Sequence, residues 1–139
     1  MLAAIQLPAA PAPVKDVAIV ANDQMKYSVT RIEAQPGQVV HVTLRNEGTL
    51  PKEVMGHNWV LLKSGQDAAA YAAAALSGAK EMYQPKALAD QVIAFIPLLG
   101  AKQEGEVTFN APTAPGTYEF LCTFPAHCQA GMRGVLVVK

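Results

Sequence analysis

From residue 39 the chain alternates strictly: Val40, Val42 and Leu44 fall on one side, His41, Thr43 and Arg45 on the other. That period of two is the mark of a half-buried β-strand, and the preceding "QPGQ" (35–38) turns the chain into it. "EVTFN" (106–110) and "GTYEFLC" (116–122) alternate in the same way, so Tyr118, Phe120 and Cys122 share a face. Further short strand candidates are 17–20, 26–34, 58–63, 91–97 and 134–139. About eight short strands divided by Pro/Gly turns predict an all-β fold, a Greek-key sandwich or barrel. One stretch breaks the pattern. Residues 66–83 are alanine-rich, with Ser64 or Asp67 as caps, and predict a helix over about 66–76 inserted between strands.

Composition narrows the function classes. Eleven basic residues balance eleven acidic ones in 139, so no net field favours nucleic acid or anionic lipid. With 51% apolar and 16% charged residues the chain suits one well-filled domain and not a disordered one. Two cysteines are too few for a disulfide framework and say little about redox compartment. No apolar run reaches the length of about 18 residues that would span a membrane. The first 14 residues are rich in Pro and Ala and carry no charge, unlike the start of a secretory signal. They read as an extended N-terminal linker (1–14) ahead of a single domain (15–139).

The chemistry concentrates in "CTFPAHCQAGMRG" (122–134). A Cys122–Cys128 disulfide would close a very short loop and stabilise little. A cysteine nucleophile needs a histidine held by a third polar group, and no Asp, Glu or Asn flanks His127. Metal binding fits better. Thiolate, imidazole and thioether form a soft to borderline set suited to copper, and C-x4-H-x4-M places Cys122, His127 and Met132 around one loop. A trigonal His₂Cys site with a weak axial Met needs a second imidazole. His57, opening a strand after Gly56, is the natural source, whereas His41 sits on the polar face of an uninterrupted strand. Zinc on two Cys and two His fits less well, because side chains at adjacent His127 and Cys128 would diverge in extended backbone.

"NDQMKY", "LPKEVMGHNWVLL" and "GTYEFLCTFPAHCQAGMRGVLVVK" closely resemble azurins and auracyanins, small blue-copper electron carriers of the cupredoxin family. The resemblance runs from about Val17 to Lys139. The four residues between His127 and Met132 match auracyanins, whereas the first two segments are closer to azurins. It implies one copper ion with His57, Cys122 and His127 as equatorial ligands and Met132 as the long axial one. The Gly56 carbonyl would be a weak opposite contact, and Asn58 and Thr123 would tie the two ligand segments together. Met25, Leu50, Pro51, Met55, Phe124, Pro125 and Ala126 would form an apolar docking patch, with the edge of His127 exposed through it.

The function so implied is electron transfer by Cu(II)/Cu(I) cycling, without enzyme activity, in a photosynthetic or respiratory chain. Copper storage or delivery is the rival. Partners would be transient redox proteins, a cytochrome or membrane complex, met by a monomer on the periplasmic or extracytoplasmic side of a bacterial membrane. Any membrane tether would lie before the present N-terminus. Three positions depart from the family pattern: the first-strand disulfide of azurin has no counterpart, Ala126 replaces a glycine, and Cys128 replaces a serine. For Cys128 the readings are a bystander, a disulfide-linked dimer or a redox-labile thiol.

Overall fold

The alternating segments pair into two sheets in the computed structural model, which describes residues 2–5 and 11–139. In chain order the strands are β1 (Lys15–Ala21), β2 (Arg31–Ala34), β3 (Val39–Asn46), β4 (His57–Leu62), β5 (Val92–Leu99), β6 (Glu104–Asn110), β7 (Gly116–Leu121) and β8 (Arg133–Val138). One sheet has the order β1-β3-β6 and the other β2-β8-β7-β4-β5. β1 runs parallel to β3 and β2 parallel to β8; the remaining pairs are antiparallel. This is the eight-stranded sandwich that the alternation predicts.

The inward faces meet in one core that includes Ile19, Val40, Val42, Leu44, Trp59 and Phe120. Residues 39–46 alternate buried and half-buried along their whole length, as read. β4 differs, because every one of its six residues is buried. Trp59 and Leu61 point into the sandwich, while Val60 and Leu62 face the other way, against Ala68, Tyr71, Ala72 and Ala75 of a helix. A strand covered on both faces loses its alternation, which is why "WVLL" (59–62) reads as an unbroken apolar run.

That helix runs over Ala68–Ala75, shorter at both ends than the 66–76 expected, with Asp67 accepting from the Ala70 N–H as N-cap. Two 3₁₀ segments, Leu76–Glu81 and Lys86–Gln91, continue the insertion. The strand expected over 26–34 is a second correction, since β2 keeps only Arg31–Ala34. Met25 enters the left-handed region (φ 57°), and Tyr27 pairs with Ala21 as an isolated bridge. The backbone bends at Ser28 and stays irregular through residue 30, inside the span expected to be one strand. A one-turn helix, Lys52–Met55, escaped the sequence reading altogether.

Residues 1 and 6–10 of the expected linker lie outside the described residues. Residues 11–14 adopt no regular structure, and the Gln38 side-chain amide donates to the Pro13 carbonyl. Among the described residues no helix is long and apolar enough to cross a membrane.

Candidate metal centre

The site grows from two chain segments entering one end of the sandwich. The first is the helical turn Lys52–Met55 and the strand that follows. The Gly56 N–H closes onto the Lys52 carbonyl at 2.9 Å, and the next residue, His57, begins β4. Gly56 has ordinary extended dihedrals; space is what demands glycine here. A Cβ would come within 2.6 Å of the Lys52 carbonyl oxygen and 2.9 Å of Leu98. The second segment leaves β7 at Cys122 and returns as β8 after Met132. Its own backbone closes it: the Cys122 N–H bonds the Met132 carbonyl (3.0 Å), Met132 N–H the His127 carbonyl (3.0 Å), and His127 N–H the Phe124 carbonyl (3.1 Å).

These segments bring His57, Cys122 and His127 together, all buried, with their potential ligand atoms within 4.8 Å of one another. Cys122 Sγ lies 3.4 Å from His127 Nδ1 and 4.0 Å from His57 Nδ1. Three donors about 2.0–2.3 Å from a common centre in one plane sit roughly 3.7 Å apart, a value that the two distances from the sulfur bracket. The His57 Nε2–H donates to the Asn22 carbonyl at 2.7 Å, which leaves Nδ1 as the free donor atom turned toward the sulfur. Met132 is fully buried, in the same core as Cys122. The donor set therefore suits copper.

Electrostatics agree with a site made for a cation. Burial pushes the Cys122 thiol up to about 12, although backbone N–H bonds from Asn58 and Phe124 pull the other way. Burial, then the neighbouring His57, brings His127 down to about 4. Burial also lowers His57, against the opposing bond to Asn22. Without metal the cluster is an uncharged thiol and two neutral imidazoles; a bound cation would displace the thiol proton and be balanced by the thiolate so formed.

Around the donors the expected tie is present. The Asn58 amide donates to Thr123 Oγ1 (2.7 Å) and the Thr123 N–H donates to Asn58 Oδ1 (2.8 Å). Sequence reasoning missed two further partners, the Asn22 carbonyl on His57 and the Tyr83 carbonyl, which accepts from the Thr123 hydroxyl at 2.6 Å. Main-chain acceptors leave no side-chain signature.

His127 is 2% exposed, so the open edge expected for it is nearly closed. Phe124 lies over its ring, with centroids 4.7 Å apart. Leu50, Pro51 and Ala126 are exposed, and Met25, Met55, Phe124 and Pro125 are half-buried. Val54 and Met82 add exposed apolar surface that was not anticipated. Hydrogen bonds link these segments: Thr49 to Asp23, and Lys26 Nζ to the Ala130 carbonyl.

Cys128 is free and buried beneath the helix, packed with Val60, Leu62 and Leu121. Burial raises its thiol pKa. A disulfide-linked dimer or an exposed labile thiol does not fit that position; it is a core residue. It lies in a turn, yet His127 and Cys128 do diverge, one to the donor cluster and the other into the core under the helix.

The model of the copper binding proteins, plastocyanin/azurin family, matches residues 14–139. The chain belongs to this family. It is 38% identical over 119 residues to auracyanin-B of Chloroflexus aurantiacus, covering 85% of this chain and 49% of that protein, so it spans about half of that relative. To azurin of Pseudomonas chlororaphis it is 36% identical, over 85% of this chain and 93% of the azurin. The solved structure of dithionite-reduced auracyanin from Roseiflexus castenholzii superposes with a TM-score of 0.80 at 32% identity, covering 94% and 99% of the two chains. The family's blue-copper chemistry makes copper the cofactor of the cluster described above.

Proposed function

We propose that this cupredoxin is a small electron carrier in which His57, Cys122 and His127 would be the main copper ligands, with Met132 and the Gly56 carbonyl as weaker contacts. Bound copper would accept one electron as Cu(II) and give it up as Cu(I), with no bond made or broken in a substrate. The observation that carries the reading is the convergence of three buried donors of this soft set, with both imidazole nitrogens 3.4–4.0 Å from the sulfur. The chain's own part is to hold those donors still. Backbone bonds close the ligand loop, and the Asn58–Thr123 pair locks it to β4, so the donor positions are set by the protein and not by the oxidation state. A site that moves little on reduction exchanges electrons quickly.

The electron would pass through Phe124 and His127 to partners docking on Met25, Leu50, Pro51, Met55, Phe124, Pro125 and Ala126. Such a patch suits a monomer meeting a cytochrome or membrane complex briefly on the extracytoplasmic side. Residues 1–14 would serve as a linker to the domain at 15–139. Burial of all four donor side chains argues against storage or delivery, which needs an exchangeable ion. Repeated chemical reduction and reoxidation, followed by stopped-flow absorption and metal analysis, tests this. A carrier keeps its copper through many cycles and turns over rapidly; loss of copper on reduction would overturn the reading.

A further inference from the structure

The tie between the two ligand segments ends on a third group that belongs to neither. Thr123 Oγ1 receives the Asn58 amide and donates to the Tyr83 carbonyl, 40 residues away in the insertion between β4 and β5. The Tyr83 ring also meets Phe124 edge-on, with centroids 5.3 Å apart, and Phe124 in turn rests on His127. One residue thus touches the ligand loop twice: by its main chain next to Cys122, and by its ring next to the aromatic cover of His127.

The backbone that makes this possible is unusual. Met82 (φ 54°) and Tyr83 (φ 60°) are consecutive non-glycine residues in the left-handed region. Each Cβ disfavours that conformation, and two in succession persist only where the surroundings hold them. Here they are held. The Met82 N–H bonds the Ala79 carbonyl and the Tyr83 N–H the Gly78 carbonyl, at 3.2 and 2.9 Å. Gly78 packs so closely on Pro85 that an added Cβ would meet its ring at 2.7 Å.

The geometry points to Tyr83 as a positioning residue for the metal centre: the left-handed corner at 82–83 clamps the Cys122–Met132 loop from outside the sheets. This rests on the electron-carrier reading above. The clamp acts through the carbonyl and the ring, with no part for the phenol hydroxyl, so Tyr83→Ala removes the ring and keeps the carbonyl, while Tyr83→Phe keeps both. In the metal-free protein, Tyr83→Ala should accelerate amide hydrogen exchange at His127, Ala130 and Met132 roughly tenfold relative to the β7–β8 amides, and Tyr83→Phe should restore wild-type exchange. In the copper-loaded protein, Tyr83→Ala should slow electron self-exchange several-fold, with Tyr83→Phe again as wild type. Should Tyr83→Ala not fold, Tyr83→Leu fills the space without an aromatic edge and carries the same comparison. Uniform acceleration of all amides, or an unchanged loop and self-exchange rate in a blue, reversible protein, overturns the clamp alone. A protein that does not turn blue with Cu(II) overturns the electron-carrier reading instead.

Discussion

At the scale of single residues, the protonation states around the cluster make copper uptake a proton-releasing event. At pH 7 the Cys122 thiol, pushed up to about 12, keeps its proton, while His127, lowered to about 4, and His57, also lowered, are already neutral. Binding Cu(II) to the metal-free protein should therefore release about one proton per ion, measured by calorimetry in buffers of different ionisation enthalpy. Release near zero would remove the thiolate from the ligand set. Release near two or more would mean charged imidazoles in the free site. Ala126 gives a second prediction. It sits at φ 71°, in the left-handed region that glycine adopts without steric cost. Ala126→Gly removes a Cβ strain of about 1–2 kcal/mol and loses part of it to the freer unfolded chain. The variant should be more stable in urea by about 0.5–1 kcal/mol. The four proposed ligands were legible because each bears a distinctive side chain at a telling spacing. Asn22 was not, because it acts through a carbonyl that any residue possesses, and Tyr83 was not, because its carbonyl and ring reach the ligand loop only through tertiary contacts.

At the scale of elements, the three-stranded sheet contains a pH-dependent fastening. His41 on β3 places Nδ1 2.8 Å from Asp16 on β1 and Nε2 3.0 Å from Glu106 on β6, so both ring nitrogens donate when the imidazole is charged. The bond to Asp16, then that to Glu106, raises its pKa above the ordinary value. A raised folded-state pKa means the protein binds the proton more tightly than the unfolded chain does. The contribution is full below the unfolded value of about 6.5 and disappears as pH rises through the folded one. Melting temperatures of wild type and His41→Gln should thus differ most near pH ~5.5 and converge near pH ~9; a pH-independent difference would contradict this. The same residue shows what alternation can reveal. It placed His41 correctly on the outer face of β3, but said nothing of partners on strands 25 and 65 residues away. Periodicity also overran the irregular residues 28–30 and passed over the four-residue helix before Gly56, since neither is long enough to establish a period.

At the scale of the whole molecule, two sheets and one insertion hold a buried donor cluster beneath half-buried apolar residues, in a chain of zero net charge. Without a net field, the rate of electron exchange with a neutral or weakly charged partner should change little between low and physiological salt. A steep fall with ionic strength would place docking on charged residues instead of the apolar patch. The sandwich was legible because alternation and turns specify layers, and the site because its loop spacing is compact. The way the insertion reaches the ligand loop depends on tertiary contacts that no local pattern encodes. The most direct measurement is the visible absorption spectrum of the metal-free protein titrated with Cu(II), for wild type and Cys122→Ser. An intense blue band that saturates at about one ion per chain and is absent in Cys122→Ser is the expected result. A colourless copper complex, or a blue band that survives Cys122→Ser, would contradict it.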